Sequence, residues 1–177
     1  MMTIKRLINT GLAHYTSGWT REEPTERPIQ TGALPWRLGP KKRIEVLLVT
    51  GRRSRRWTIP KGWPMTGKSL AEAAAVEAFE EAGVKGKIQE EPLGAFNYTK
   101  QSFPFGSLEV RILVHELSVE RELDKWPELG QRRRKWFSAE EAAEKVQSEE
   151  LRSLIIDYAE RASSTKSAKK PKAAGKP

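Results

Sequence analysis

Residues 57–84 read WTIPKGWPMTGKSLAEAAAVEAFEEAGV, and this stretch decides the fold. Trp57-Thr58-Ile59 is a short β-type run that Pro60 brings to an end. A loop from Lys61 to Lys68 follows, and then the pattern predicts a helix from about Ser69 to Ala82. Ser69 is a suitable N-cap, and Glu72 three residues later gives the spacing of a capping box. Gly83 tolerates the left-handed backbone in which a helix commonly ends. Val84 opens the next extended segment.

The helix carries Glu77, Glu80 and Glu81 at i, i+3 and i+4, so all three carboxylates project from one face. Like charges placed this way each cost a helix a few tenths of a kcal/mol. The arrangement is either a solvated acidic face or a site with something positive opposite it. A hard divalent cation such as Mg²⁺ suits it, because that ion takes carboxylate oxygens and keeps waters and phosphate oxygens.

The preceding loop narrows the choice. The stretch resembles the box of the Nudix hydrolases, G-x5-E-x7-R-E-U-x-E-E-x-G-U, where U is apolar. Gly62 matches the first glycine, Glu77 the glutamate of the RE pair, Glu80 and Glu81 the EE pair, and Gly83-Val84 the closing G-U. The gaps carry no insertion. RWTIPKGW, ahead of the helix, is similar to the diphosphoinositol polyphosphate phosphohydrolase-like branch. Two positions depart from the box. Lys68 stands at the first glutamate and Val76 at the arginine, so a pair of opposite charges is missing together.

The rest of the chain frames this core. Its 177 residues suit one domain with tails. Apolar content of 37% is enough for a single core. There is no cysteine, which excludes disulfides, thiolate metal sites and cysteine nucleophiles and fits a reducing cytoplasm. No apolar run approaches the ~18 residues that would span a bilayer, so no membrane partner is expected. The net charge is +9, and about half of it comes from Lys166, Lys169, Lys170, Lys172 and Lys176. A balance of this sign favours anionic partners.

Residues 1–32 read as an N-terminal arm and linker, 33–162 as the folded domain, and 163–177 as a disordered basic tail. Ala33 to Leu38 is the expected first strand, with Pro35 pointing to an edge or a bulge. Arg43 to Thr50, RIEVLLVT, reads as a strand buried on both faces. Val84–Gln89 and Pro92–Thr99 read as two extended segments, Leu108–Val119 as a long strand, and Lys135–Phe137 as a short one. Helices are expected from Ala139, behind a Ser138 and Glu141 capping box, and from Glu149. This order suits an α/β fold, an α/β/α sandwich with a mixed central sheet. The Nudix resemblance implies the same architecture.

What the resemblance implies chemically is a metal-dependent hydrolase that cleaves a pyrophosphate bond with water. Glu77, Glu80 and Glu81 would be its catalytic and metal-holding carboxylates, with Gly62 adding a backbone carbonyl. The cofactor would be Mg²⁺ or Mn²⁺. Arg52, Arg53, Arg55 and Arg56 in the turn before the loop, Lys61 within it, and Arg133 ahead of the last strand are then expected to cradle phosphates, for which arginine forks are well shaped. Arg132, Arg134 and Lys135 are further basic candidates, and Arg37 a weaker one. Trp57 and Trp63 flank the loop as anchors or stacking surfaces, and His115 reads as a strand residue. The expected substrate is a highly phosphorylated small molecule, either a diphosphoinositol polyphosphate or a dinucleoside polyphosphate. The alternative is a weak or inactive module that binds phosphorylated ligands or RNA. The basic tail offers charge without aromatic platforms, which suits unspecific nucleic-acid contact.

Overall fold

The computed structural model describes residues 27–102 and 106–167. Residues 1–26 of the expected arm and 168–177 of the expected tail lie outside them.

Seven strands form one mixed sheet: β1 (Ile29–Leu38), β2 (Ile44–Thr50), β3 (Trp57–Thr58), β4 (Lys61–Gly62), β5 (Val84–Ser102), β6 (Gly106–Glu122) and β7 (Arg134–Ser138). The order along the sheet is β3-β2-β1-β6-β5, with β4 paired to β1 and β7 to β2. β1 and β6 run parallel, and the other pairings are antiparallel. Helix α1 (Leu70–Ala82) lies on one face. Helices α2 (Ala139–Lys145) and α3 (Glu149–Ser167) cover the other.

Alternation along β2 feeds both layers. Val46 and Leu48 pack with Ile112, Ala142, Leu151, Ile155 and Tyr158 on the α2/α3 side. Leu47 and Val49 pack with Ala74, Ala78, Ala82 and Leu117 on the α1 side. The strand is buried on both faces, as its unbroken apolar run implies. The sandwich and the mixed sheet are as the sequence suggested.

Four details differ from expectation. β1 begins at Ile29, so the last four residues of the supposed linker are strand. Pro35 is in an interior strand and buried. The Ala33 amide donates to the Pro60 carbonyl at 3.0 Å, on the side of β4 and β2, and period-two alternation puts the Pro35 nitrogen on that side too. There it falls between the β4 pairing at Thr31–Gly32 and the β2 pairing from Trp36, so no ladder bond is lost. Pro92 likewise does not divide β5, because register shifts around it absorb the residue without a donor. At the far end α3 continues to Ser167, so residues 163–167 are helical rather than disordered.

Both capping boxes form. Ser69 Oγ accepts from the Glu72 amide at 3.1 Å, and the Glu72 carboxylate accepts from the Ser69 amide at 2.7 Å. Ser138 and Glu141 repeat the pattern at 3.2 and 3.1 Å. Gly83 is left-handed, at φ 62°.

Candidate active site

The site is built where α1 leaves the β4 loop. Thr31 Oγ1 donates to the Leu70 carbonyl at 2.8 Å, which ties the helix start to β1. β4 pairs with the same strand through Thr31 and Gly32. Loop and helix are therefore fixed to one strand, and the carboxylate face of α1 meets the backbone of Lys61 and Gly62. The Lys61 amide donates to Glu81 Oε2 at 3.3 Å. The Glu77 carboxylate lies against Gly62 so closely that a Cβ there would come within 1.8 Å of Oε1. Glu80 is half-buried and adjacent enough for its charge to act on Glu77.

Electrostatics mark the same residues. Burial raises the Glu77 carboxyl above its ordinary value, the charges of Glu80 and Glu128 raise it further, and Arg132 and Lys61 oppose them. Burial pushes Glu81 up to about 7, with Arg132 and Lys61 lowering it and Glu77 and Glu128 raising it. Burial is thus the main cause at both carboxyls, and at Glu81 the two cations outweigh the two neighbouring carboxylates.

Two more residues complete the site: Arg132, which the sequence offered as a basic phosphate-cradle candidate, and Glu128, which it did not offer. Arg132 has a side chain only 8% exposed and donates to Glu81 and, through Nε, to Glu128. Its third nitrogen donates to the Thr50 carbonyl at 3.1 Å. Glu128 and Arg132 stand four residues apart in a turn rather than on a helix, so their pairing had no signal in the sequence. Arg52 pairs with the other oxygen of Glu128 at 3.3 Å.

The predicted basic residues separate into different roles. Arg52 reaches the cluster through Glu128, and Arg55, at φ 57°, donates to the Gln131 carbonyl at 3.3 Å. Arg53 and Arg56 are exposed on the same turn. Arg133 is exposed, lies 5.7 Å from the Trp57 ring, and is held to the turn by its amide donating to Thr50 Oγ1 at 3.0 Å. Lys61 Nζ sits 4.9 Å over the Tyr98 ring. Arg134, in contrast, caps α1: it donates to the Ala82 carbonyl at 2.6 Å and to those of Gly83 and Leu123. Arg37 bonds Glu45 and Glu122 and takes no part in the site. Trp57 is an anchor, set edge-on to Phe137 at 5.1 Å, while Trp63 is 42% exposed. His115 is a buried strand residue whose Nδ1 lies 3.1 Å from the Gln89 carbonyl.

The NUDIX domain family model matches residues 28–158. The chain belongs to the Nudix family. Nudix hydrolase 4 of Arabidopsis thaliana is 35% identical over 117 residues, which is 63% of this chain and 52% of that protein. The diphosphoinositol polyphosphate phosphohydrolase 3-beta of Bos taurus is 36% identical over 107 residues, 58% of this chain and 60% of the relative. The match thus spans between about half and three fifths of these relatives. Among solved structures, a binary complex of the C. elegans Ap4A hydrolase has a TM-score of 0.58 at 21% identity, covering 77% of this chain and 98% of that one. The NUDIX domain of Shewanella oneidensis NrtR complexed with ADP ribose has a TM-score of 0.57 at 15% identity, covering 91% and 99%. These two likenesses bear on the fold alone.

Nudix hydrolases generally use divalent metal ions. Among the described residues, no three acidic or histidine side chains converge closely enough to enclose an ion by themselves. The donor chemistry fits one all the same. Three hard carboxylates share a helix face, and two of them are raised in pKa by burial and by neighbouring negative charge, which a cation would relieve.

Proposed function

We propose that this Nudix chain is a divalent-metal-dependent hydrolase of phosphoanhydride bonds in highly phosphorylated small molecules. Diphosphoinositol polyphosphates and dinucleoside polyphosphates are the favoured substrate classes. One observation carries the reading: the partly buried carboxylate face of α1 lies beside a turn bearing four arginines, and Glu128 joins the two through Arg132 and Arg52. Acidic groups for a cation and basic groups for its phosphates are therefore contiguous. The similarity to a phosphohydrolase of diphosphoinositol polyphosphates supports the substrate class.

Glu77, Glu80 and Glu81 would hold Mg²⁺ or Mn²⁺, with the Gly62 carbonyl as a backbone donor. Such an ion, when bound, neutralises developing charge on phosphate oxygens and makes water a better nucleophile. The chain's own residues do the rest. Arg53, Arg56 and Arg133 offer exposed guanidinium forks to phosphate oxygens. Lys61 adds a cation at the loop. Glu77, with its raised pKa and its seat on Gly62, is placed either as a ligand or as the group that accepts the proton of the attacking water. A cytoplasmic setting fits the absence of cysteine.

A second reading, a binding module with little or no turnover, draws on Val76. Instead of a charged side chain, this helix position lines an apolar groove of about 320 Å³ with Phe79, Lys85 and Leu117. One experiment separates the two. Phosphate release is measured from an inositol pyrophosphate, dinucleoside polyphosphates, nucleotide sugars and capped or triphosphorylated RNA, with Mg²⁺ and with EDTA, using the wild type and Glu81→Gln. Metal-dependent turnover lost in the variant supports the hydrolase, and the best substrate assigns the branch. Ligand binding without turnover on any substrate supports the module.

A further inference from the structure

Every nitrogen of the Arg132 guanidinium is engaged inside the site. Each of its three nitrogens has its own acceptor: Glu81 on α1, Glu128 in the loop before β7, and the carbonyl of Thr50 at the end of β2. Arg132, Glu81 and Glu128 side chains are 8%, 6% and 17% exposed, so the network is largely closed to solvent. A partner of this kind fixes a carboxylate's rotamer as well as its charge, because a planar fork constrains direction where an ammonium does not. Arg52 bonds the second oxygen of Glu128, so the chain Glu81–Arg132–Glu128–Arg52 runs unbroken from the acidic helix face to the basic turn.

We infer that Arg132, braced by Glu128 and Thr50, is the positioning residue of this site: it sets the Glu81 carboxylate in the orientation from which it holds a divalent cation. α1 offers no arginine of its own, since it reads LAEAAAVEAFEEA, and Val76 faces the apolar groove. The Glu81 carboxylate also accepts from the Lys61 amide, at a long 3.3 Å, whereas its bond to Arg132 is short and buried. Orientation of Glu81 therefore rests mainly on Arg132. Groups that orient a ligand without touching the metal commonly change metal affinity tenfold to about a hundredfold when removed. The inference rests on the reading of α1 as a metal-holding face and adds to it the residue that governs one ligand.

The test is a double-mutant cycle read on Mn²⁺ alone, without substrate. Mn²⁺ affinity is measured by calorimetry, and by the electron paramagnetic resonance signal of the free ion, on the full chain. The variants are Glu81→Gln, Arg132→Met and the double variant, each checked for folding by circular dichroism. Glu81→Gln should weaken binding about tenfold in the unaltered chain and less than about twofold beside Arg132→Met, because an unoriented Glu81 has little left to lose. Arg132→Met leaves two carboxylates without their cation, so the cycle is repeated with Arg132→Lys. Lysine keeps the charge, but its three N–H donors radiate from one nitrogen and lack the spread, planar fork that holds the three acceptors, and the same collapse of the Glu81→Gln effect is expected. Equal or larger effects of Glu81→Gln in the Arg132 backgrounds would overturn the inference while leaving the metal reading standing. If the unaltered chain binds no Mn²⁺ at millimolar concentration, the metal reading falls, and this inference with it.

Discussion

The carboxylate of Glu77 occupies the space that a side chain at Gly62 would need, with a Cβ there landing 1.8 Å from Oε1. Gly62 is thus required for lack of bulk. Gly62→Ala must push the Glu77 carboxylate away from the loop while leaving the sheet and helix intact. A displacement of about 1 Å at reacting groups can cost about a hundredfold in rate. Steady-state kinetics should show a fall of that order in kcat, with an unchanged circular dichroism spectrum. Wild-type turnover in Gly62→Ala would dissociate Glu77 from the chemistry.

The titration of Glu81 predicts how stability follows pH in metal-free protein. Its carboxyl is raised from 4.5 to about 7, chiefly by burial. Between those values the unfolded chain has released the proton and the folded chain still binds it. The folded state therefore carries more protons, and stability must fall as pH rises through this window. Below the window the penalty is absent, and above it the penalty is complete. Glu77, shifted the same way, adds to the slope. With EDTA present, Tm should decline from pH 4.5 to 7, and Glu81→Gln should flatten the decline. An equally steep profile in the variant would remove Glu81 as its source.

Exposed arginines on the turn are expected to govern capture rather than chemistry. The double variant Arg53→Ala, Arg56→Ala should raise KM with kcat little changed. Each exposed charge is worth up to about 1 kcal/mol, so roughly fivefold per arginine is the upper range. The effect should shrink as salt is added, since these groups are screened. A KM indifferent to both substitution and salt would assign phosphate capture to other residues.

Ser69→Ala tests the local architecture. It removes the hydroxyl that accepts from the Glu72 amide and so breaks one half of the capping box. A loss of about 1 kcal/mol is expected. For a chain of this size that lowers Tm by about 2–4 °C. Thermal unfolding followed at 222 nm measures it directly.

The legible and illegible parts of this molecule differ in the range of the interactions behind them. Ser69, Glu72 and Gly83 act within one turn of their own helix, and their spacing alone announced both ends of α1. The near-continuous apolar run of β2 likewise showed a strand with two buried faces. Pro35 misled because its tolerance depends on a gap between two strands that are distant in sequence. The run Arg132-Arg133-Arg134 misled for the same reason. Its three side chains go to Glu81 and Glu128, to the rim above Trp57, and to the carbonyls ending α1. Consecutive identical residues at a strand entry point in different directions, and only the tertiary partners tell them apart.

The two layers flanking the sheet are built from unlike material. On the α2/α3 side the contacts are made by Leu151, Ile155 and Tyr158 of α3 together with the alanines of α2. On the α1 side they are made by Ala74, Ala78 and Ala82. Methyl groups leave no slack: the acidic helix rides directly on the strands, and enlarging any of these alanines must lift the whole row of glutamates from the loop. Trimming a large residue on the opposite layer opens a void that nearby side chains partly refill, far from the loop. One sheet therefore sorts inherited change by side: damage behind it registers as a less durable protein, and damage in front of it as a durable protein that no longer works.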